Sequence, residues 1–339
     1  MFKTLAVHGG GSIGKRHVRL LRESFPDSKI ILVSRYTKPE ELLQADIILK
    51  DLDELSELRP DITFIASPAS LHVENALQVS KYCSAIFIEK PISDKLNNAK
   101  NLTKTFLDNN IFCQIGYNLR YQPSLIFFRE YIQKGILGTI YTIHVEAGQF
   151  LPSWRPNSDY RNTVSASKEL GGGVMTELSH ELDYISWIFG KPTWVNAQNG
   201  KISNLEVNVE DYSKINLGYS SEKNKSDMIC SVNLDFFRQN PTRTCQVACS
   251  KGSIIWDGIT GTVSVFMEET KSWNELYNNP TPRDYTYKKQ IDDVYSNIIN
   301  RKKASTTISD GIKVLEIIEA ARVSSENLGK RIFLTAGDI

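Results

Sequence analysis

Cysteine is scarce in this chain. Its five thiols, Cys83, Cys113, Cys230, Cys245 and Cys249, are scattered and odd in number. Such a set argues against a disulfide framework and for a reducing compartment. Cys245 and Cys249 lack a second ligand pair at zinc spacing, so they read as strand residues and no metal site is expected. Long apolar runs are missing too, for nothing approaches the ~20 residues of a membrane span. Charge is nearly balanced, with 40 Lys and Arg against 39 Asp and Glu, so the basic surface that nucleic acid needs is not implied. The chain starts at once with a strand-like segment, which leaves no room for a signal peptide and sets the expectation of a cytoplasmic protein. There is no internal repeat and no low-complexity tract. What remains is an ordinary globular composition, 41% hydrophobic and 23% charged over 339 residues, enough for two domains with real cores.

The first seventeen residues carry the most information. Lys3 to His8 reads as a short apolar strand, and Gly9, Gly11 and Gly14 then spell G-x-G-x-x-G at the mouth of an amphipathic segment. In that context the pattern is a dinucleotide-binding fingerprint. Gly9 permits the tight turn, Gly11 lets backbone approach a pyrophosphate, and Gly14 lets helix pack on strand. Ser12 and Ile13 then lie at a helix start, where unpaired N–H groups and the positive dipole end favour phosphate.

Further apolar runs follow at 30–33, 47–49, 62–66, 85–88 and 111–115, separated by helical patterns such as His72 to Tyr82 and Asn97 to Leu107. Alternation of this kind implies βαβ units and a doubly wound parallel sheet. After about residue 122 the rhythm changes. A helix at 123–134 and a glycine-led helix at 171–190 are followed by strand-like runs near 193–202, 211–220, 227–237, 244–256 and 261–267. This suggests an α+β domain with a mostly antiparallel open sheet. The expected division is therefore 1–121 and 122–339, with a last amphipathic helix at 310–328 that packs back on the first domain, and a strand-like tail at 331–334.

Four groups fall where ligands of such folds bind, at strand ends and loops. Ser67-Pro68-Ala69-Ser70-Leu71-His72 turns the chain after the fourth strand, with Ser67 and His72 placed to face a cofactor. Glu89-Lys90-Pro91 ends the fifth strand. A charged pair beside an apolar strand is expensive to bury without a task. The Lys90 ammonium can hydrogen-bond a substrate oxygen, and Glu89 can set the position and charge state of that lysine. Lys90–Pro91 is also a candidate cis bond. Gly116-Tyr117-Asn118-Leu119-Arg120 ends the sixth strand, and Asn118 and Arg120 suit cofactor or substrate positioning. Lastly, Gly171-Gly172-Gly173 leads into Thr176, Glu177, His180 and Asp183. Spacing of three puts Glu177, His180 and Asp183 on one helix face, and a carboxylate beside an imidazole suits a general base. Each group taken singly is also what a solvated strand end, a linker or a charged helix start looks like.

Taken in order, these groups resemble the glucose–fructose oxidoreductase / inositol dehydrogenase / MocA (Gfo/Idh/MocA) family over nearly the whole length. The resemblance rests on the glycine loop with its trailing His17, the Ser-Pro…His72 turn, the Glu89-Lys90-Pro91 triplet, Tyr117-Asn118…Arg120, the triple glycine with His180, and the closing Asp310-Gly311…Glu319-Ala320-Ala321 helix. It implies a Rossmann domain and a nicotinamide-dependent oxidoreductase that moves a hydride to or from a sugar, an acidic or nucleotide-linked sugar derivative, or a cyclitol. By the same resemblance Lys90 binds the reacting oxygen and His180 exchanges the proton. Two departures stand out. The family usually has Asn where this chain has Ala69. It also has Asp four residues before the histidine, a position held here by Thr176 if aligned on His180 or by Glu177 if aligned on the glycines. Redox-assisted cleavage of a glycosidic bond with a retained cofactor, and a non-catalytic ligand sensor, are the alternatives on the same fold.

The ribose end of the cofactor site bears on NAD against NADP. After the second strand come Ser34 and Arg35, where a carboxylate would bind the 2′-hydroxyl of NAD. Arg35 can instead pair with a 2′-phosphate, so the charge favours NADP, with NAD the alternative if Arg35 only stacks on adenine. The loop from Leu151 to Ser167 carries Trp154, Arg155, Tyr160 and Arg161, residues able to stack on a sugar or pair with an anionic group. The family resemblance further implies a homodimer or homotetramer through the outer face of the second sheet.

Overall fold

A computed structural model describes residues 2–35, 37, 44–156, 158–219 and 228–334. The chain divides into two units, and neither is continuous in sequence. The first runs to Asn118 and also takes Thr286–Leu315; the second comprises Leu119–Tyr285 and the chain from Glu316 on. The sequence alone places a single boundary at 121/122, whereas the structural units exchange at 118/119, 285/286 and 315/316.

In the first unit, strands β1 (Thr4–His8), β2 (Lys29–Val33), β3 (Ile47–Leu49), β4 (Ile62–Ile65), β5 (Ala85–Ile88) and β6 (Phe112–Ile115) form a six-stranded sheet in the order β3-β2-β1-β4-β5-β6. All its pairings are parallel. Order reverses at β1, which puts the switch point where the glycine turn leaves the sheet. The central strands are fully buried runs such as Ile30-Ile31-Leu32-Val33, as required of strands covered on both faces. Helices α1 (Ser12–Ser24), α2 (Leu55–Leu58), α3 (His72–Val79) and α4 (Leu96–Asp108) connect them. A further helix of this unit, Tyr285–Ile299, supplies Ile291 and Val294 to the core around Leu5, Val7, Leu20 and Phe64.

In the second unit, α5 (Pro123–Gln133) precedes β7 (Ile140–Gly148). Helices α6 (Val174–Glu177) and α7 (Ser179–Phe189) follow, then β8 (Trp194–Gly200), β9 (Tyr212–Tyr219), β10 (Met228–Asp235), β11 (Thr242–Cys249), β12 (Gly252–Asp257), β13 (Thr262–Met267) and β14 (Ser272–Asn278). After the Tyr285–Ile299 helix, now α8, comes α9 (Ile308–Glu326), of which the part from Glu316 on belongs to this unit, and then β15 (Ile332–Phe333). The sheet order is β14-β13-β12-β11-β7-β10-β9-β8-β15. It is antiparallel except where β7 pairs with β10. Alternation decides the faces: Val232 and Leu234 of β10 are buried, while Ile229 is 39% exposed on the other side. The apolar run read as one strand over 244–256 is two, because the chain turns at Ser250-Lys251 and β12 returns along β11.

Candidate functional site

The glycine turn is built by close backbone approach. Gly9 has φ +120°, and a Cβ there would stand 2.6 Å from the Ala66 carbonyl carbon. A Cβ on Gly14 would overlap the Gly9 carbonyl oxygen. Both positions need glycine. Gly11 differs: a Cβ there would meet nothing within 4 Å, so the backbone at the helix mouth faces open space. Gly11 is the N-cap of α1, with no side-chain cap and no acidic residue in the first turn. The first-turn N–H groups at Ser12, Ile13 and Gly14 are thus left for an anion. A cavity of about 340 Å³ beside this turn is lined by Ser12, Lys15, Arg16, Arg19 and Gln44, a mostly basic wall. Open backbone, an uncapped helix start and a basic surround fit a pyrophosphate.

His8 ends β1 just before the turn. Burial first, then the charges of His72 and Arg35, lower its pKa to about 4. The folded state therefore keeps this imidazole neutral where the unfolded chain, at about 6.5, would protonate. Stability from this group is full above about pH 6.5 and is lost as pH falls towards 4. The shift corresponds to about 3 kcal/mol. We expect urea titrations of His8→Gln to show that much less loss than the parent between pH 7 and 4. Parallel curves for the two proteins would refute the assignment.

At the end of β2, Ser34 is buried and its Oγ accepts from Thr37 Oγ1 at 2.9 Å, beneath Gly10. Arg35 is exposed and its guanidinium pairs through Nε and Nη2 with Asp51, which follows β3. The sequence gives no sign of this partner, since β3 becomes the neighbour of β2 only in the folded sheet.

After β4, the Ser67 Oγ accepts from Asn75 Nδ2 at 2.9 Å, and Pro68 is half-buried. His72 is buried, its two ring nitrogens each 2.8 Å from a backbone carbonyl oxygen, of Pro91 and of Ser67. The sequence has His72 facing a cofactor. In the structure it braces the turns after β4 and β5 against each other. Lys90 is half-buried at the end of β5, and the Lys90–Pro91 bond is cis. Glu89 is buried beside it, with its Oε2 accepting from the Lys90 backbone N–H at 3.2 Å and its Oε1 2.6 Å from His17 Nε2. Asn118 is buried and donates to Thr286 Oγ1 at 2.7 Å, within the same unit.

The second unit holds the histidine. His180 is half-buried in the first turn of α7. A single helix over 171–190 is not what forms, because the chain breaks at Leu178 (φ −97°, ψ 28°). Glu177 therefore ends α6 while His180 opens α7, and they do not share one continuous helix face. The two pieces answer to different anchors. Val174 N–H of α6 donates to the Glu210 carbonyl, and the Glu210 carboxylate lies against Gly173, its pKa raised by burial. Helix α7 is bolted by two ion pairs. Asp183 takes Arg120 Nε and Nη2 at 3.0 and 2.7 Å, and Glu181 takes Arg243 Nε at 2.7 Å. Arg120 also lies over the Trp187 ring.

The side chains expected on the substrate side have the following contacts. The Arg120 guanidinium is taken up by Asp183. The Thr176 hydroxyl donates to the Gly173 carbonyl at 2.9 Å and is buried. Tyr160 Oη accepts from Glu206 N–H, and Trp154 packs edge-on against Phe236. Arg155 is exposed. Arg120 and Asp183 form a buried pair, with side chains 8% and 1% exposed. Removing one member of a buried pair strands the other charge, at a cost of about 3–5 kcal/mol. Asp183→Ala should lower unfolding free energy by that amount, and Asp183→Ala with Arg120→Met should recover part of it. A single-mutant loss under about 1 kcal/mol, the level of an exposed pair, would contradict this.

Comparison with known proteins identifies the scaffold. The profile described as oxidoreductase family, NAD-binding Rossmann fold, matches residues 3–117. Its partner, the oxidoreductase family C-terminal alpha/beta domain, matches residues 129–331. The chain belongs to the Gfo/Idh/MocA oxidoreductase family. It is similar to the uncharacterized oxidoreductase YrbE of Bacillus subtilis, with 28% identity over 58% of this chain and 57% of that protein. It is also similar to the rhizopine catabolism protein MocA of Rhizobium meliloti, with 26% identity over 55% and 57%. The matched stretches thus span little more than half the length of these relatives. Among solved structures, levoglucosan dehydrogenase in complex with NADH superposes with a TM-score of 0.82 at 19% identity, covering 98% of this chain and 99% of that one. The WlbA dehydrogenase of Bordetella pertussis, in complex with NADH and UDP-GlcNAcA, gives 0.81 at 18%, covering 99% and 100%. No helix among the described residues is long and apolar enough to cross a membrane.

Proposed function

We propose that this protein is a nicotinamide-dependent dehydrogenase or reductase acting at a hydroxyl-bearing carbon of a sugar, sugar derivative or cyclitol. The observation that carries the reading is the glycine turn, whose open, uncapped helix start offers backbone N–H groups to a pyrophosphate. Family membership and the sugar dehydrogenases among the related structures support it. A bound nicotinamide would supply the hydride donor or acceptor. For this chain's own residues we propose that the Lys90 ammonium hydrogen-bonds the reacting oxygen and that the His180 imidazole takes or returns its proton. The test is a panel of neutral sugars, acidic and nucleotide-linked sugars and cyclitols with NAD and NADP, following absorbance of the reduced nicotinamide. Cofactor binding without turnover of any member would overturn the reading.

For the cofactor we propose a preference for NADP. Arg35 stands where a carboxylate would select NAD, and its exposed pairing with Asp51 belongs to a class worth only ~0–1 kcal/mol. A 2′-phosphate, bearing more charge and matching the guanidinium fork, can displace that carboxylate. Arg35→Ala should weaken NADP about tenfold in calorimetric titration and leave NAD unchanged, from the usual strength of charge-assisted hydrogen bonds. Asp51→Asn should strengthen NADP. Tighter binding of NAD than NADP by the parent, with Arg35→Ala indifferent, would reverse the assignment.

A further inference from the structure

We propose that His17 is a positioning residue for the reaction: by donating to Glu89 it ties the helix behind the glycine turn to the strand end that presents Lys90, and it holds the Glu89 carboxylate as an anion beside that lysine. The proposal rests on the reading of Lys90 given above.

His17 lies on α1, one turn past the glycines, and its ring is fully buried. Its walls are Phe64, Phe87 and Tyr287, with ring centroids 5.2, 5.4 and 6.2 Å away. An imidazole in such a setting needs a partner, and Glu89 Oε1 is 2.6 Å from Nε2. The other ring nitrogen, Nδ1, is buried without a hydrogen-bond partner. That asymmetry fixes the tautomer. A carboxylate accepts, so Nε2 carries hydrogen. A second proton on Nδ1 would be a buried donor with no acceptor, which is costly. The ring is therefore the neutral Nε2–H form, and it stabilises the negative charge of Glu89 without cancelling it.

The charge is directed at Lys90. The second Glu89 oxygen accepts from the Lys90 backbone N–H, and a Cβ on Gly116 would stand 2.9 Å from that oxygen, so backbone closes the remaining side. The titratable and charged groups facing Glu89 are His17 from α1, Lys90 from its own strand end and His72 from α3. Burial pushes the Glu89 pKa up. The hydrogen bond from His17, then the Lys90 charge and backbone N–H, push it further down, leaving it below the ordinary value. Its stability contribution is present above the ordinary carboxylate range and is lost as pH falls through the lowered folded value.

The experiment compares His17→Gln, whose amide N–H falls near the imidazole Nε2, with His17→Phe, which keeps the aromatic packing and loses the donor. In the cofactor-free protein, nitrogen-15 NMR at neutral pH should show one proton on the His17 ring, on Nε2. The acid limb of thermal stability should move to higher pH in His17→Phe and stay near the parent in His17→Gln. In turnover, kcat should fall about tenfold or more in His17→Phe with little change in sugar KM, the acid limb of the rate profile should move up, and His17→Gln should restore most of the loss. A doubly protonated ring, or Gln and Phe variants alike in both stability and rate profiles, would overturn the proposal. If His17→Phe fails to fold, the NMR signal and His17→Gln still decide. Absence of sugar turnover in the parent would sink the redox reading alone, because the cofactor-free measurements stand apart from it.

Discussion

Lys90→Ala and His180→Ala are each expected to slow turnover by about 10²–10⁴-fold, the usual worth of a placed proton donor or acceptor, while changing cofactor affinity far less. The expectation follows from how each side chain is held. Lys90 is half-buried and follows a strand buried from end to end, so its backbone has little freedom to adapt. Its immediate neighbour is the buried Glu89, which leaves a carboxylate facing an apolar replacement. Lys90→Arg should not rescue, because a planar fork cannot take the place of a compact ammonium. His180 sits on a short helix fixed by the Asp183–Arg120 and Glu181–Arg243 pairs, so its removal should leave the fold intact. Steady-state kcat with fluorescence titration of the reduced cofactor separates the two effects. Parent-like kcat in either variant would remove that residue from the chemistry.

Gly14→Ala is expected to abolish cofactor binding and to cost about 3 kcal/mol of stability, at the upper end of overpacking penalties. The added methyl would overlap the Gly9 carbonyl oxygen and stand 2.9 Å from the Gly9 carbonyl carbon. Both are backbone atoms in a turn that Gly9 itself makes only at positive φ. Relief requires α1 to move off the sheet. Gly11→Ala is the informative contrast. Its methyl meets no protein atom within 4 Å, so urea unfolding of the cofactor-free variant should match the parent, yet affinity should drop because the methyl occupies the approach of the pyrophosphate. Equal affinity in Gly11→Ala and parent would mean that the anion does not approach there.

What the sequence discloses about this fold follows from the range of the interactions. The glycine turn is legible because strand, turn and helix start are consecutive and each glycine has a steric reason. The six parallel strands are legible as continuous apolar runs. Strand β14 is not, since Ser272–Asn278 is an almost wholly exposed edge with no alternation to read. Nor is the membership of α8 in the first unit, because Ile291 and Val294 reach a core made by residues far earlier in the chain. The candidate site divides the same way. Lys90 and His180 stand out by type and setting, whereas their supports lie across long gaps: His17 to Glu89, Arg120 to Asp183 and Glu181 to Arg243 are 72, 63 and 62 residues apart. No local pattern encodes such pairs. They explain why Arg120 stands out in sequence as a positioning residue while its buried partner Asp183 does not.

The interleaved course of the chain has a consequence for its biosynthesis. Because Thr286–Leu315 belongs to the first unit, and Ile291 and Val294 enter the same core as Leu5 and Val7, that core stays unfinished until residues 286–315 have left the ribosome. The nascent sheet must wait, with apolar surface uncovered, while the intervening segment is translated, and the interval of aggregation risk lasts until that segment is complete.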